Sequence, residues 1–305
     1  MTSGPVVTSG PAATEAAAPV DPEAAAVVLD LLTAGRAAVA PPATARAGAP
    51  SPGALLGVWA HPDDETYLSG ALMATAAHLG ARVVCVTATR GELGGPVPPG
   101  SPPGLTLDRL RVAELAEALD VLGVREQVLL GLPDGGCAQV AQAVAAGPAG
   151  PPGPAGPVER IAGIIRELRP AVVVTFGPDG FTGHPDHRAV SAWTTTAFAW
   201  AAPDGARLLY AAASTDHRER TRDVDELLGI AVDGADLDGD DGPVVPPGAL
   251  AVRLNLAGRL LERKVAALRA HASQTAGALA ALGPDRFAGW VAEEAFVDHR
   301  GRVSP

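Results

Sequence analysis

Two short stretches concentrate residues able to hold a cation and use it. AHPDDE occupies residues 60–65 and GHPDH residues 183–187. Each joins a histidine, a proline and at least one carboxylate, and each follows an apolar run: ALLGVWA (54–60) before the first, AVVVTF and the loop GPDGFTG before the second. A plainer reading is available, because proline suits the first helical position and acids in a first turn meet the positive end of the helix dipole. That reading leaves His61 unexplained at the end of a strand, and the same grammar returns at His184 and His187.

Position is what makes the three histidines informative. In an open parallel sheet the carboxyl ends of the strands share one edge, and ligands collect where the strand order reverses. If the first and fourth strands of the series lie side by side, His61, Asp64 and His187 converge. Two imidazoles and one carboxylate form a three-ligand zinc set with a coordination position left open, the pattern of catalytic sites. Asp63, one helical step of about 100° away, is then free to take a proton from a water acidified by the metal. His184 is left to stabilise charge or protonate a leaving group.

The elements that must position these residues alternate regularly. Apolar strands ALLGVWA, ARVVCVTAT, QVLLGL, AVVVTF and RLLYAAAS are separated by segments with helical spacing, among them TYLSGALMATAAHLG, LDRLRVAELAEALDVLG, VERIAGIIRELR and HRAVSAWTTTAFAWA. Strands this apolar are buried on both faces, which predicts an α/β fold: a Rossmann-like three-layer sandwich with a mostly parallel sheet and the active site at the strand carboxyl ends. ALAVRLNL then reads as a strand, AGRLLERKVAALRAHAS as a helix, and the tail containing RFAGWVAEEAFV as less regular.

One main domain with an N-terminal appendage is expected. Residues 1–50 form an N-terminal extension: a disordered tail, a helix opened by Asp21 and Pro22, and the linker PPATARAGAPSPG. Residues 51–305 form the catalytic domain. GPAGPPGPAGP (147–157) is too short for a triple helix and reads as an extended loop. DLDGDDG (236–242) has Asp241 where a calcium loop needs glycine and Pro247 where it needs glutamate, so it reads as a solvated acidic loop.

Composition excludes several classes. A net charge of −11 sets the average surface against a phosphate backbone, so no nucleic-acid partner is expected. No apolar run approaches the roughly 18 residues of a membrane helix, and Cys85 and Cys137 form no disulfide framework, so a cytoplasmic setting is expected. A dinucleotide site would need GxGxxG after the first strand, where HPDDET stands, and no G-x-S-x-G elbow occurs.

Through AHPDDE and GHPDH the chain resembles the PIG-L/LmbE-like zinc-dependent N-acetylglucosamine deacetylases, which include enzymes of mycothiol and bacillithiol biosynthesis. TATRGELGG (87–95), LGLPDGG (130–136) and KVAALRAHASQ (264–274) extend the resemblance over about residues 54–298. It implies His61, Asp64 and His187 as metal ligands, Asp63 as general base and His184 as the group stabilising the tetrahedral intermediate. Asp186 would orient a histidine, and Arg90 and Glu92 would contact sugar or support the site, against a plain surface pair as the alternative.

The implied cofactor is zinc, with ferrous iron also suited to these ligands, and the implied substrate is a small N-acetylated amino-sugar conjugate. Some sugar-thiol members carry a tyrosine where this chain has Thr182, beside Phe181, so a phenol is missing there and Thr182 is the candidate substrate contact in its place. The membrane-anchored branch of the family does not fit. Two alternatives stand beside this reading: a hydrolase of a non-sugar amide or ester with the same centre, and a non-catalytic sugar-binding member. Of the other histidines, His217 reads as a surface-loop residue, His271 as a cleft or capping residue, and His78 and His299 as structural or solvated.

Overall fold

The computed structural model describes residues 7–8, 21–34, 52–140, 156–229 and 244–300. The collagen-like stretch, except for its last two residues, the acidic loop at 236–242 and most of the N-terminal tail and linker lie outside the described residues.

The alternation seen in the sequence becomes a doubly wound sheet. In chain order the elements are β1 (Val7–Thr8), α1 (Pro22–Thr33), β2 (Leu55–Trp59), α2 (Asp64–His78), β3 (Val83–Thr87), α3 (Leu107–Leu122), β4 (Glu126–Leu129) and α4 (Pro157–Leu168). They continue with β5 (Val172–Phe176), α5 (Pro185–Ala201), β6 (Arg207–Ser214), α6 (Thr215–Leu228), β7 (Val244–Val245), β8 (Val252–Asn255), α7 (Gly258–Ala270), α8 (Ala272–Trp290) and β9 (Glu293–Asp298).

The sheet order is β1-β4-β3-β2-β5-β6-β9-β8, with β7 beside β6. Strands β4, β3, β2, β5 and β6 run parallel, and β2 pairs directly with β5 in the register Leu55↔Val172 to Gly57↔Val174. The chain therefore turns from one half of the sheet to the other between β2 and β5, the juxtaposition that brings the two histidine motifs together. Every residue of β2, β3 and β5 is buried, because helices cover both faces. Contacts divide those helices into one layer of α1, α2, α3 and α7 and another of α4 and α5.

Three sequence expectations change. Val7–Thr8, expected to be disordered, forms a short strand antiparallel to β4. The segment after β6, read as a loop around His217, is helix α6, which Ser214 caps by accepting the His217 N–H at 3.2 Å. The tail read as irregular contains β9, which inserts antiparallel between β6 and β8 and makes the sheet mixed. Helix α1 begins where expected, with Asp21 Oδ1 accepting the Glu23 N–H at 2.9 Å. It docks on the main core through buried Val28, Leu31 and Leu32.

Candidate active site

The site starts at the carboxyl ends of β2 and β5. Pro62 and the acids begin α2 after a sharp corner: Asp63 sits at φ 121° and ψ −32°, a region that a non-glycine residue occupies at a cost of roughly 1–3 kcal/mol. Several contacts hold it there. The Asp63 N–H donates to Glu65 Oε2 at 2.9 Å, while Arg111 Nη2 donates to Pro62 O at 2.6 Å and to Asp63 Oδ2 at 3.1 Å. Arg111 Nη1 reaches Gly91 O at 2.9 Å, so one buried guanidinium ties the loop after β3 to the start of α2.

Three donor groups face one another at this corner. His61 Nδ1 and His187 Nε2 are 3.1 Å apart, with Asp64 Oδ2 3.6 Å from the former and Asp64 Oδ1 3.5 Å from the latter. Tetrahedral ligands at zinc distances of about 2.0–2.1 Å lie roughly 3.3 Å apart, a spacing close to that of the two histidine nitrogens, while Asp64 meets them with two different carboxylate oxygens.

The far side of His187 is hydrogen-bonded, and that of His61 faces two carboxylates. His187 Nδ1 donates to Gly180 O at 2.9 Å, which leaves a bare lone pair on Nε2. His61 Nε2 lies 3.1 Å from Asp134 Oδ1 and 3.5 Å from Asp186 Oδ2, two carboxylates that favour the proton on that nitrogen. Nδ1 of His61 then faces the bare Nε2 lone pair of His187, a contact that either a proton or a cation between the two nitrogens resolves.

The electrostatics agree with the geometry. Burial opposes charge on His61, yet the carboxylates of Asp134, Asp186 and Asp64 push its pKa up to about 12, so the cluster calls for positive charge. Burial also works against ionised Asp64, but His187 and His61 hold it well below the usual carboxylate range. Burial pushes His187 down, towards the neutral form a ligand needs. Asp63 moves the other way, raised to about 7 by burial and by the Asp64 charge, with Arg111 opposing.

The other expected residues divide. His184 caps α5, its Nδ1 accepting the Asp186 N–H at 3.2 Å, with its ring centroid 4.9 Å from that of His61 and 5.0 Å from that of His187. Its donor atom and one from each of those two histidines lie within 4.8 Å of one another, and the residue is exposed, whereas Asp64 is buried. Asp186 lies beside His61 and also accepts the Gly135 and Cys137 N–H groups at 2.8 and 3.1 Å. Thr182 Oγ1 lies 3.3 Å from His187 Nδ1 and lines the adjoining cavity.

Arg90 and Glu92 do not pair with each other. Arg90 is half exposed, 3.8 Å from Asp108, and stands apart from the cluster; Glu92 accepts the Asp134 N–H at 3.0 Å and so supports the loop that carries Asp134.

Sequence reasoning missed three contributors. Asp134 sits in LGLPDGG, a stretch with no assigned role. Arg111 lies within a helix read only as amphipathic. The third is the pair of Glu65 with His271, both fully buried and 2.8 Å apart, which backs the Asp63 N–H. His217 also has a structural place, its Nε2 lying 3.0 Å from Trp290 O.

Comparison with known proteins agrees with this fold. The family model PIG-L, described as GlcNAc-PI de-N-acetylase, matches residues 56–198. A 1D-myo-inositol 2-acetamido-2-deoxy-alpha-D-glucopyranoside deacetylase of Kineococcus radiotolerans is 39% identical over 251 residues, covering 73% of this chain and 69% of that protein. The enzyme of the same name from Thermobifida fusca is 36% identical over 249 residues, covering 73% and 83%. The chain belongs to the PIG-L family of deacetylases.

Solved structures share the fold. A conserved protein of Thermus thermophilus aligns with TM-score 0.50 and 24% identity over 81% of this chain and 94% of that one. The A40926 pseudoaglycone deacetylase aligns with TM-score 0.51 and 22% identity over 77% and 88%. No helix among the described residues is long and apolar enough to cross a membrane.

Proposed function

We propose that this protein removes the N-acetyl group from an N-acetylglucosamine-type sugar conjugate, with His61, Asp64 and His187 holding a catalytic zinc or ferrous ion. The observation that carries the reading is the approach of His61 Nδ1 and His187 Nε2 to 3.1 Å, with Asp64 Oδ2 3.6 Å from the first and Asp64 Oδ1 3.5 Å from the second. The names of the Kineococcus and Thermobifida relatives supply the sugar class. An ion bound there supplies a water of lowered pKa and polarises the amide carbonyl.

The chain's own residues do the rest. Asp63, held rigid by Arg111 and Glu65, takes the proton of the attacking water; its pKa near 7 suits a base working at neutral pH. His184, exposed at the mouth beside the two ligand histidines, meets the charge developing on the intermediate and returns a proton to the departing amine. Asp134 and Asp186 keep His61 in the tautomer that offers Nδ1. Acetate and a free amino sugar result. Buried free thiols at Cys85 and Cys137 fit a reducing, cytoplasmic setting.

The test is a panel of N-acetylglucosaminides read by free-amine detection, run with the parent chain and with Asp63→Asn. The parent is expected to release amine, and the variant to lose about 10²–10⁴-fold in kcat while still binding metal. Undiminished turnover by the variant removes Asp63 from the role of base, and no release from any member of the panel rejects the deacetylase reading.

A further inference from the structure

A cavity of about 460 Å³ opens onto the same corner. Asp64 and His187 line one end of it, while Asp63 and His184 do not line it at all. It runs between α2, α6, α8 and the paired strands β6 and β9, and its lining includes Tyr67, Leu68, Leu228, Ala278, Trp290 and Val291.

Polar side chains also line the cavity, and most of their charge is paired within the protein, although Arg218 Nε has no hydrogen-bond partner. Arg218 Nη1 pairs with Asp225 Oδ2 at 2.7 Å, and Trp290 Nε1 donates to Asp225 Oδ1 at 3.0 Å. Glu293 is taken by Ser214 and Arg253 at 2.7 Å each. Glu294 is taken by Lys264 at 2.9 Å and by the Ala71 and Leu72 N–H groups at 2.7 and 2.9 Å. With the carboxylates already paired and much of the wall apolar, an apolar group placed here would gain from leaving water.

Taking the proposed function as the starting point, the direction of the cavity selects which part of the substrate enters it. The carbonyl carbon of an amide carries an oxygen, the departing nitrogen and the acyl carbon. With the carbonyl oxygen at the His61–Asp64–His187 triangle and the nitrogen beside exposed His184, the sugar lies towards solvent. The acyl substituent then points into the cavity between Asp64 and His187. Its volume falls in the range of pockets for drug-sized ligands, roughly 300–1,000 Å³, which the single methyl of an acetyl group leaves nearly empty.

We infer that the cavity is an acyl-chain site, and that this protein hydrolyses amino-sugar amides whose acyl group is apolar and larger than acetyl, in preference to the acetyl amide. The water that attacks supplies OH to the acyl carbon and a proton to the amine, so the products are a longer carboxylic acid and the free amino sugar.

Two substrate series test this on the full, zinc-loaded chain. The first keeps glucosamine and lengthens the acyl group from acetyl through butanoyl to hexanoyl; the second keeps acetyl and lengthens an alkyl glycoside from methyl to hexyl. In the first series kcat/KM is expected to rise at least tenfold from acetyl to hexanoyl. The substitution Ala278→Arg, on a partly exposed helical position of the cavity wall, is expected to bring the hexanoyl-to-acetyl ratio close to one.

A flat or falling acyl series beside measurable acetyl turnover overturns the inference and leaves the deacetylase reading intact. A gain confined to the glycoside series, abolished by Ala278→Arg, overturns it by placing the aglycone in the cavity. No turnover in either series rejects the underlying function together with this site.

Discussion

Among single residues, three adjacent side chains are given different environments. Asp64 is kept ionised by two histidines, Asp63 is raised to about 7 by burial and by Asp64, and Glu65 is buried against His271. A base must be deprotonated to act, so kcat/KM is expected to fall about tenfold per pH unit below the Asp63 pKa. That acid limb lies at or below about pH 7, because a bound cation cancels part of the Asp64 repulsion. A rate profile measures it, and a rate constant between about pH 5 and 8 contradicts the assignment.

Much of this was legible in AHPDDE and GHPDH, where histidines at strand ends make a pattern that helix starts alone do not explain. Glu65 was not, because its partner His271 lies 206 positions away and only the packed chain shows the pair.

Among the elements, α3 holds the corner. Its buried stripe runs through Leu107, Arg111, Glu114, Leu115, Ala118, Leu119 and Leu122, so two charged residues fall on a face that helical spacing marks as apolar. That placement is the signal the sequence offered: a charge inside the stripe needs a buried partner. Arg111 finds Pro62 O, Asp63 and Gly91 O, and Glu114 accepts from Ser273 N and Oγ at 2.7 and 2.6 Å.

A lysine carries the charge of Arg111 without its planar fork, so it cannot span the same acceptors. Arg111→Lys is therefore expected to lower kcat by at least about tenfold, with KM and metal content near those of the parent, because a misplaced base weakens the reaction and not the binding. Steady-state kinetics with metal analysis measure this, and an unchanged kcat removes Arg111 from the positioning of Asp63. The elements themselves were mostly readable from apolar runs and helical spacing. Strand β9 was not, because the sheet position of EEAFVD depends on pairing with β6 and β8, which lie far away in sequence.

Across the molecule, a buried ion pair joins α7 to β9 and, through Glu294, to α2. Lys264 on α7 and Glu294 on β9 are both fully buried, 2.9 Å apart, and Glu294 also accepts two N–H groups from within α2. Removing the cation alone leaves a carboxylate uncompensated, so Lys264→Met is expected to cost about 3–5 kcal/mol of stability, read as a shift in the urea midpoint. A loss below about 1 kcal/mol would show that Glu294 is held by its backbone donors alone.

The meeting of the two motifs is likewise a property of the whole sheet, and it follows from β2 lying beside β5. If this meeting point holds one metal ion on which hydrolysis depends, activity must follow occupancy. The most direct measurement strips the intact protein with chelator and follows amine release from an N-acetylglucosaminide as zinc is returned. Negligible release is expected from the stripped protein, with a rate that rises with added zinc to a plateau at one equivalent per chain. Full release from protein containing no measurable metal would contradict a metal-dependent centre.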